Sequence, residues 1–183
     1  ANTGAWSPIA QPNADLNSDV GGVSESAYSD YMLRYLCLAR ASGLVDRVYW
    51  WQLTSRGYGL IDDSDADHWR PRKAWFALKQ FNELMSDANL LTSEVPSNTD
   101  NQGRYCITFE RKDKEQFAMV WSHGEPSSLV DIDCERVTDS CGHKIVCPEV
   151  VTGTPIYMHC INRVIVALAV LLLEAETSLL AFA

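Results

Sequence analysis

Basic residues are scarce in this sequence. Its 15 lysines and arginines stand against 24 aspartates and glutamates, so the formal net charge is −9 at pH 7. Proteins that bind nucleic acid neutralise backbone phosphates with clustered lysine and arginine side chains, and the sequence holds no such cluster. The composition therefore argues against a nucleic-acid partner, and we expect none.

A run long enough to span a membrane is missing as well. The unbroken apolar run at 164–173 is ten residues long, whereas a spanning helix needs about 20. Glu174 and Glu176 then interrupt it. We expect no membrane partner, and three interpretations of the tail at 161–183 stay open: a buried helix, an extension foreign to the fold, or a segment on a membrane surface.

The N-terminal residues lack the basic start and the apolar core of a signal peptide. The chain begins with Ala1 rather than Met, which indicates either processing or a fragment. The sequence therefore gives no indication of the cellular compartment.

Cofactor motifs are absent too. Among the six cysteines, Cys134, Cys141 and Cys147 combine with His143 in the pattern C-x6-C-x-H-x3-C. That spacing does not match the paired knuckles of structural zinc sites, and no glycine-rich loop is present that could cradle a phosphate. We therefore predict no metal and no cofactor. We expect the thiols to be unpaired, or to include one disulfide.

What the sequence does contain is a globular composition, with 46% apolar and 10% aromatic residues. Apolar residues recur at helical spacing over 24–42, after an N-capping serine and before Gly43. The aromatic and β-branched run 47–53 is typical of a strand buried on both faces of a parallel sheet. A loop over 54–69 and a second helix opening at Pro71 complete an α/β repeat.

The pattern changes after residue 88. Two β-rich runs, 104–111 and 116–123, predict a hairpin of adjacent strands. Gly142 supplies positive φ in a later turn, and a last short strand ends at Cys160. We therefore predict α/β plus all-β architecture in three parts: an α/β segment at 1–88, a small antiparallel β-sandwich at 89–160, and an apolar tail at 161–183.

Adjacent indoles lie near the end of the predicted aromatic strand. Trp50 and Trp51 precede Gln52, and Tyr58 lies in the loop that follows. An exposed indole beside a side-chain amide suits a sugar, because the apolar face of a pyranose stacks on the ring while the amide bonds a hydroxyl. Strand alternation lets only one of the two indoles face a pocket. The alternative is that one indole packs in the core and serves no ligand.

Three motifs in this order resemble the end of a retaining glycoside hydrolase barrel. They are the aromatic run at 47–53, the loop "GLIDD" at 59–63 and the helix start "RPRKAWFAL" at 70–78. The stretch 24–78 resembles clan A, the TIM-barrel clan that includes β-xylosidases and α-iduronidases. The resemblance implies helix 7, strand 8 and helix 8 of an incomplete (β/α)8 barrel.

The second half resembles the β-sandwich that often follows such barrels. The matching pieces are "FAMVWSHGE" at 117–125, "RVTDSCGHK" at 136–144 and "GTPIYM" at 153–158. The likeness as a whole covers about residues 20–158. It implies that residues 1–88 are the C-terminal segment of a TIM-barrel glycosidase domain.

The resemblance also implies what the whole enzyme would do. Clan members hydrolyse O-glycosidic bonds with retention, using two glutamates whose carboxyls stand about 5 Å apart. No glutamate of this sequence occupies a matching position, since Thr3 stands where the nucleophile motif would place one before Trp6. We therefore predict no catalytic residue in this chain. We expect the glutamates upstream of Ala1, and the chain to be inactive alone.

Under the resemblance, the expected partners are a carbohydrate and the missing N-terminal portion of the barrel. Asp62 and Asp63 follow the predicted strand and read as solvated loop carboxylates, not as an acid/base pair. A non-catalytic carbohydrate-binding or domain-interaction module is the alternative function, and a structural remnant without a ligand is a third. The predicted substrate-binding residues are Trp50, Trp51, Gln52 and Tyr58.

Overall fold

The structure, a computed structural model, describes residues 23–54, 59–63, 65–96, 102–129 and 134–160. Tyr58 and the tail at 161–183 lie outside the described residues. The helices are α1 (Glu25–Ala41) and α2 (Lys73–Met85), and neither is long and apolar enough to cross a membrane. The strands are β1 (Ile61–Asp62), β2 (Arg70–Pro71), β3 (Asn89–Glu94), β4 (Gly103–Glu110), β5 (Gln116–His123), β6 (Ser127–Ser128), β7 (Arg136–Thr138), β8 (Lys144–Ile145), β9 (Val150–Val151) and β10 (Ile156–Cys160).

A six-stranded antiparallel sheet dominates the fold. Its strands follow the order β3-β4-β5-β10-β7-β8, and each neighbouring pair runs antiparallel. The β4–β5 hairpin pairs Gly103 with His123 at one end and Glu110 with Gln116 at the other. A two-stranded ribbon of β6 and β9 forms a second, smaller sheet. The β-sandwich-like antiparallel architecture predicted for the second half is therefore confirmed.

The central strands of the large sheet are buried on both faces, because apolar residues occupy both sets of their alternating positions. On one face, Phe109 of β4 lies opposite Phe117 of β5, and both belong to the cluster that includes the helices. On the other face, Val120 and Met158 pack in a second cluster with Val151 of the ribbon. The sheet therefore separates two apolar layers.

The first helix confirms the prediction made from its end signals. The Ser24 hydroxyl accepts a hydrogen bond of 3.1 Å from the backbone N–H of Ala27, which is the N-cap interaction. Gly43 follows the helix with φ +65, in the left-handed region that glycine favours. Met32 and Leu33 are fully buried on the inner side.

The second helix begins two residues later than predicted, at Lys73. Pro71 belongs instead to β2, which pairs antiparallel with β1. Arg72 then donates its backbone N–H to the Leu60 carbonyl at 2.8 Å. This extended pairing delays the helix, because a residue in a strand cannot take helical φ and ψ.

The predicted barrel segment is wrong. Among the described residues, the run 47–53 forms no strand, and the one parallel bridge next to it joins Thr54 to Ile61. A strand buried in a parallel sheet needs hydrogen-bonded neighbours on both sides, and the nearby β1 and β2 pair antiparallel with each other. The described fold is therefore mostly antiparallel sheet with two helices, and it shows no part of a (β/α)8 barrel.

Helices and sheet share one hydrophobic cluster. Met32 of α1, Phe81 of α2 and Trp121 of β5 all belong to it. The Arg40 side chain also donates to the Ala88 carbonyl at 2.6 Å, which ties α1 to the residue before β3. The domain boundary near residue 88 stays a prediction, and the apolar surfaces on its two sides are buried against each other.

Candidate functional site

The aromatic segment, residues 47–54, crosses the surface beside α1, and Trp50 anchors it there. The Trp50 indole Nε1–H donates to the Tyr28 hydroxyl at 2.9 Å, and the two rings meet edge to face with centroids 5.8 Å apart. The backbone N–H of Gly59 donates to the same hydroxyl at 3.3 Å. Tyr28, which is 4% exposed, therefore holds both Trp50 and the loop after it.

Trp51 points the other way and is 63% exposed. The peptide bond between Trp51 and Gln52 is cis. Gln52 is half-buried, and its Nε2 donates to the Thr54 carbonyl at 2.6 Å. Of the two adjacent indoles, Trp51 is therefore the one that a ligand can reach from solvent, while Gln52 braces the segment from within.

An apolar groove of about 480 Å³ runs beside the aromatic segment, between the C-terminal part of α1 and α2. Trp50 contributes to its lining, and Trp51 does not. The exposed surface of Trp51 and the groove are therefore separate features. Its other apolar lining residues include Val45, Tyr49, Leu53 and Phe81.

A buried charge cluster fixes the chain around the aromatic segment. The Arg72 side chain is 2% exposed, and its guanidinium contacts Glu25 Oε1 at 3.1 Å and Asp62 Oδ1 at 3.2 Å. Arg70 contacts the same two carboxylates from the solvent side. Burial alone would raise the pKa of Glu25, but hydrogen bonds and charge from Arg70 and Arg72 outweigh it and lower that pKa.

The cluster corrects one sequence expectation. Asp62 is 7% exposed and ion-paired, so it is not a solvated loop carboxylate. Its ion-pair partners are Arg70 and Arg72, and both arginines also contact Glu25 at the distant start of α1. Sequence reasoning missed this contact because nothing local links the two ends. In the structure, the cluster joins α1 to the β1–β2 pair.

A polar cleft of about 520 Å³ lies between the C-terminal half of α2 and the sheet. His159 Nδ1 lies 3.0 Å from Glu115 Oε1 and 2.9 Å from Arg136 Nη2. Burial lowers the pKa of His159 and the charge of Arg136 lowers it further, with Glu115 opposing them. Within the described residues, the buried His159 Nε2 and Thr138 Oγ1 have no hydrogen-bond partner. Both residues line the cleft, while these two atoms themselves are buried from it.

The cysteine and histidine pattern near residue 140 forms a turn. Asp139 Oδ1 accepts the backbone N–H groups of Cys141 and His143 at 2.9 Å each, and Asp139 Oδ2 lies 3.1 Å from His143 Nδ1. Gly142 has φ +90, as predicted for this turn. In the described part of the chain, no group of three His, Cys, Asp or Glu side chains is arranged to hold a metal ion.

A comparison with models of known protein families finds no match to this chain, and a comparison with curated proteins finds none either. The class that the fold defines is an antiparallel, β-sandwich-like sheet with two helices packed on one face. The likeness to glycoside hydrolases therefore stays a prediction that depends on the order of the sequence motifs.

Proposed function

We propose that this chain is a non-catalytic part of a retaining glycoside hydrolase and that it contacts carbohydrate through Trp51. The observation that carries the proposal is that the two adjacent indoles differ in environment. Trp50 is bonded to Tyr28, while Trp51 is 63% exposed beside it. The aromatic segment thus offers one indole to solvent from an anchored backbone.

The chemistry of sugars explains why such an indole would bind one. The C–H groups on one face of a pyranose form an apolar surface that stacks on an aromatic ring. Binding costs less when the ring is already held in place, because less side-chain and loop freedom is lost. The hydrogen bonds of Trp50 and of Gln52, at 2.9 and 2.6 Å, hold the residues on both sides of Trp51.

The proposal assigns no catalysis to this chain alone. A retaining glycosidase needs one carboxyl with a raised pKa, so that it can protonate the leaving oxygen. Glu25 and Asp62 both contact Arg70 and Arg72, and this environment lowers the pKa of Glu25. This carboxyl is therefore suited to a structural ion pair, and the parent enzyme's acid would be another residue.

Titration of intrinsic tryptophan fluorescence with a panel of mono- and oligosaccharides tests the proposal. We expect a saturable change in the wild-type chain and no turnover of p-nitrophenyl glycosides. Trp51→Ala should weaken binding roughly tenfold or more, because the stacking surface is removed. Trp69→Ala is the matched control, since both indoles are 63% exposed, and it should leave the dissociation constant unchanged.

Three results would contradict the proposal. Equal losses in Trp51→Ala and Trp69→Ala would show that exposed indoles bind sugar without a specific site. Turnover of a glycoside would show that the chain holds its own catalytic residues. A wild-type chain that gives no change with any sugar of the panel would remove carbohydrate binding altogether.

The apolar groove favours a second function, docking against another domain. Tyr49 on its rim is 83% exposed and Leu53 is 55% exposed, and contiguous apolar surface of this kind often marks an interaction site. Tyr49→Ser with Leu53→Ser separates the two functions. If Trp51 contacts the sugar, the double variant should still give the saturable fluorescence change with sugar. If the groove contacts a partner domain, the same variant should lose its association with that domain.

A further inference from the structure

Two cysteines near the edge of the large sheet lie within reach of each other. The sulfur atoms of Cys134 and Cys147 are 3.8 Å apart. Cys134 lies two residues before β7, and Cys147 lies two residues after β8. Cys147 is exposed to solvent and Cys134 is half-buried.

The hairpin register explains why they meet. In the β7–β8 pair, Val137 lies opposite Ile145 and Thr138 lies opposite Lys144. Continuing that antiparallel register outward from the turn brings the segment before β7 alongside the segment after β8. The two sulfurs thus lie at the open end of the hairpin, away from the turn at Gly142.

We propose that Cys134 and Cys147 form an intrachain disulfide when the protein meets a disulfide oxidant such as oxidised glutathione. Closing the gap from 3.8 Å to a bond of about 2.05 Å needs a small rotation of the two side chains. The backbone pairing of β7 with β8 already supplies the approach of the two segments.

The exchange balances in two steps. The thiolate of Cys147, the more exposed of the two, attacks one sulfur of oxidised glutathione and expels the first glutathione thiolate, which leaves a mixed disulfide. The thiolate of Cys134 then attacks the Cys147 sulfur and expels the second glutathione. The protons lost by the two cysteines are taken up by the two glutathione thiolates, so that the protein is oxidised and the glutathione is reduced.

The other cysteines with described side chains are poor competitors. Cys37 and Cys106 are fully buried, and burial raises the pKa of the Cys37 thiol far above its usual range. Burial also raises the pKa of Cys141. Since the thiolate is the reactive form, an oxidant in solution should select Cys147 and then its neighbour Cys134.

The cross-link would hold the outermost strand of the sheet. β8 is two residues long and pairs only with β7 among the described strands, so few hydrogen bonds keep it in place. A bond between Cys134 and Cys147 closes the hairpin and restricts the unfolded chain. We expect the midpoint of thermal unfolding to be higher in the oxidised protein by roughly 5 to 10 °C.

Peptide mapping of the full chain tests the proposal. The protein is equilibrated with oxidised glutathione, its remaining thiols are blocked, and it is digested with trypsin without reductant. We expect a cross-link between the peptides 115–136 and 145–163, which dithiothreitol releases. Cys134→Ser and Cys147→Ser should each abolish it. Cys141→Ser and Cys160→Ser are the matched controls and should retain it, which also assigns the bond within the second peptide.

Three outcomes would overturn the proposal. The first is the absence of a cross-link at any ratio of oxidised to reduced glutathione. The second is a cross-link that survives Cys134→Ser or is lost in Cys160→Ser. The third is an oxidised wild type whose thermal midpoint equals that of the reduced protein and of Cys134→Ser. Far-UV circular dichroism of each reduced variant confirms that it is folded before oxidation.

Discussion

Arg72 occupies a position that few arginines take, since its side chain is 2% exposed. It lies between Glu25 and Asp62, and Arg70 contacts the same carboxylates from solvent with its side chain 54% exposed. The two arginines therefore have the same partners and differ in burial. They allow the effect of burial on an ion pair to be measured within one cluster.

Removing the buried cation should cost far more than removing the exposed one. Arg72→Met leaves Glu25 and Asp62 with the exposed Arg70 alone, and removing one partner of a buried ion pair typically costs about 3–5 kcal/mol of unfolding free energy. Arg70→Met removes a solvent-screened contact and should cost about 1 kcal/mol or less. Urea denaturation at neutral pH measures both. Similar losses for the two variants would contradict the assignment of Arg72 as the central cation.

His159 should make stability depend on pH below neutrality. Its pKa is lowered from 6.5 by burial and by Arg136, with Arg111 adding to this and Glu115 opposing. The unfolded state therefore binds more protons than the folded state between the lowered pKa and about 6.5, so stability falls as pH drops through that window. Urea denaturation from pH 8 to 5 should show this decline, and His159→Gln should reduce it. An unchanged slope in the variant would refute the assignment to His159.

The individual elements follow their local signals where those signals are complete. α1 has an N-cap at Ser24 and a left-handed glycine at its end, and it forms as predicted. The run 47–53 has strong β propensity but no strand forms. Its described backbone hydrogen bonds to a neighbouring segment come from Leu60 and Ile61, lie at its C-terminal end, and make no strand ladder. Local propensity is enough to predict an element only when its backbone N–H and C=O groups bond within the element, as they do in a helix.

The N-cap of α1 should be worth a measurable part of the stability. Ser24→Ala removes the oxygen that accepts the Ala27 N–H and should lower the unfolding free energy by about 1 kcal/mol. Ser24→Asp retains an acceptor and should recover most of the loss. Thermal unfolding followed at 222 nm checks both. An alanine variant as stable as the wild type would show that the cap is replaced by water.

At the scale of the whole molecule, α1, α2 and the sheet are buried against each other. The shared cluster contains Leu33 of α1 together with Ile107 and Phe109 of β4. A boundary near residue 88 would predict that the two halves unfold separately. The shared cluster predicts a single cooperative transition, because neither half can open without exposing the apolar surface of the other.

Two leucines on α1 test this cooperativity. Leu33 is fully buried and Leu38 is 39% exposed. Leu33→Ala should cost about 2–5 kcal/mol and Leu38→Ala less than about 1 kcal/mol. Hydrogen exchange in the peptide 103–110, which is β4, gives the readout. If helices and sheet unfold together, the stability lost by Leu33→Ala in α1 should also raise the exchange rate in β4. Unchanged exchange in β4 with Leu33→Ala would show that the helices and the sheet are separate units.

The sequence by itself determined the features whose signals act within a few residues. It identified α1 from Ser24 and Gly43, the hairpin of β4 and β5 from two strand-like runs around a polar turn, and the turn at Gly142. Caps, spacing and positive φ are local properties, so a linear pattern is enough to predict them.

Only the tertiary structure decided the features that depend on distant partners. Trp51 rather than Trp50 is exposed because Tyr28, 22 residues away from Trp50, bonds the Trp50 indole. Asp62 is buried in an ion pair with Arg72. Arg72 also pairs with Glu25, which lies 47 residues before Arg72 in the chain. The run 47–53 stays irregular for the same reason: whether a strand forms depends on neighbours that no local pattern contains.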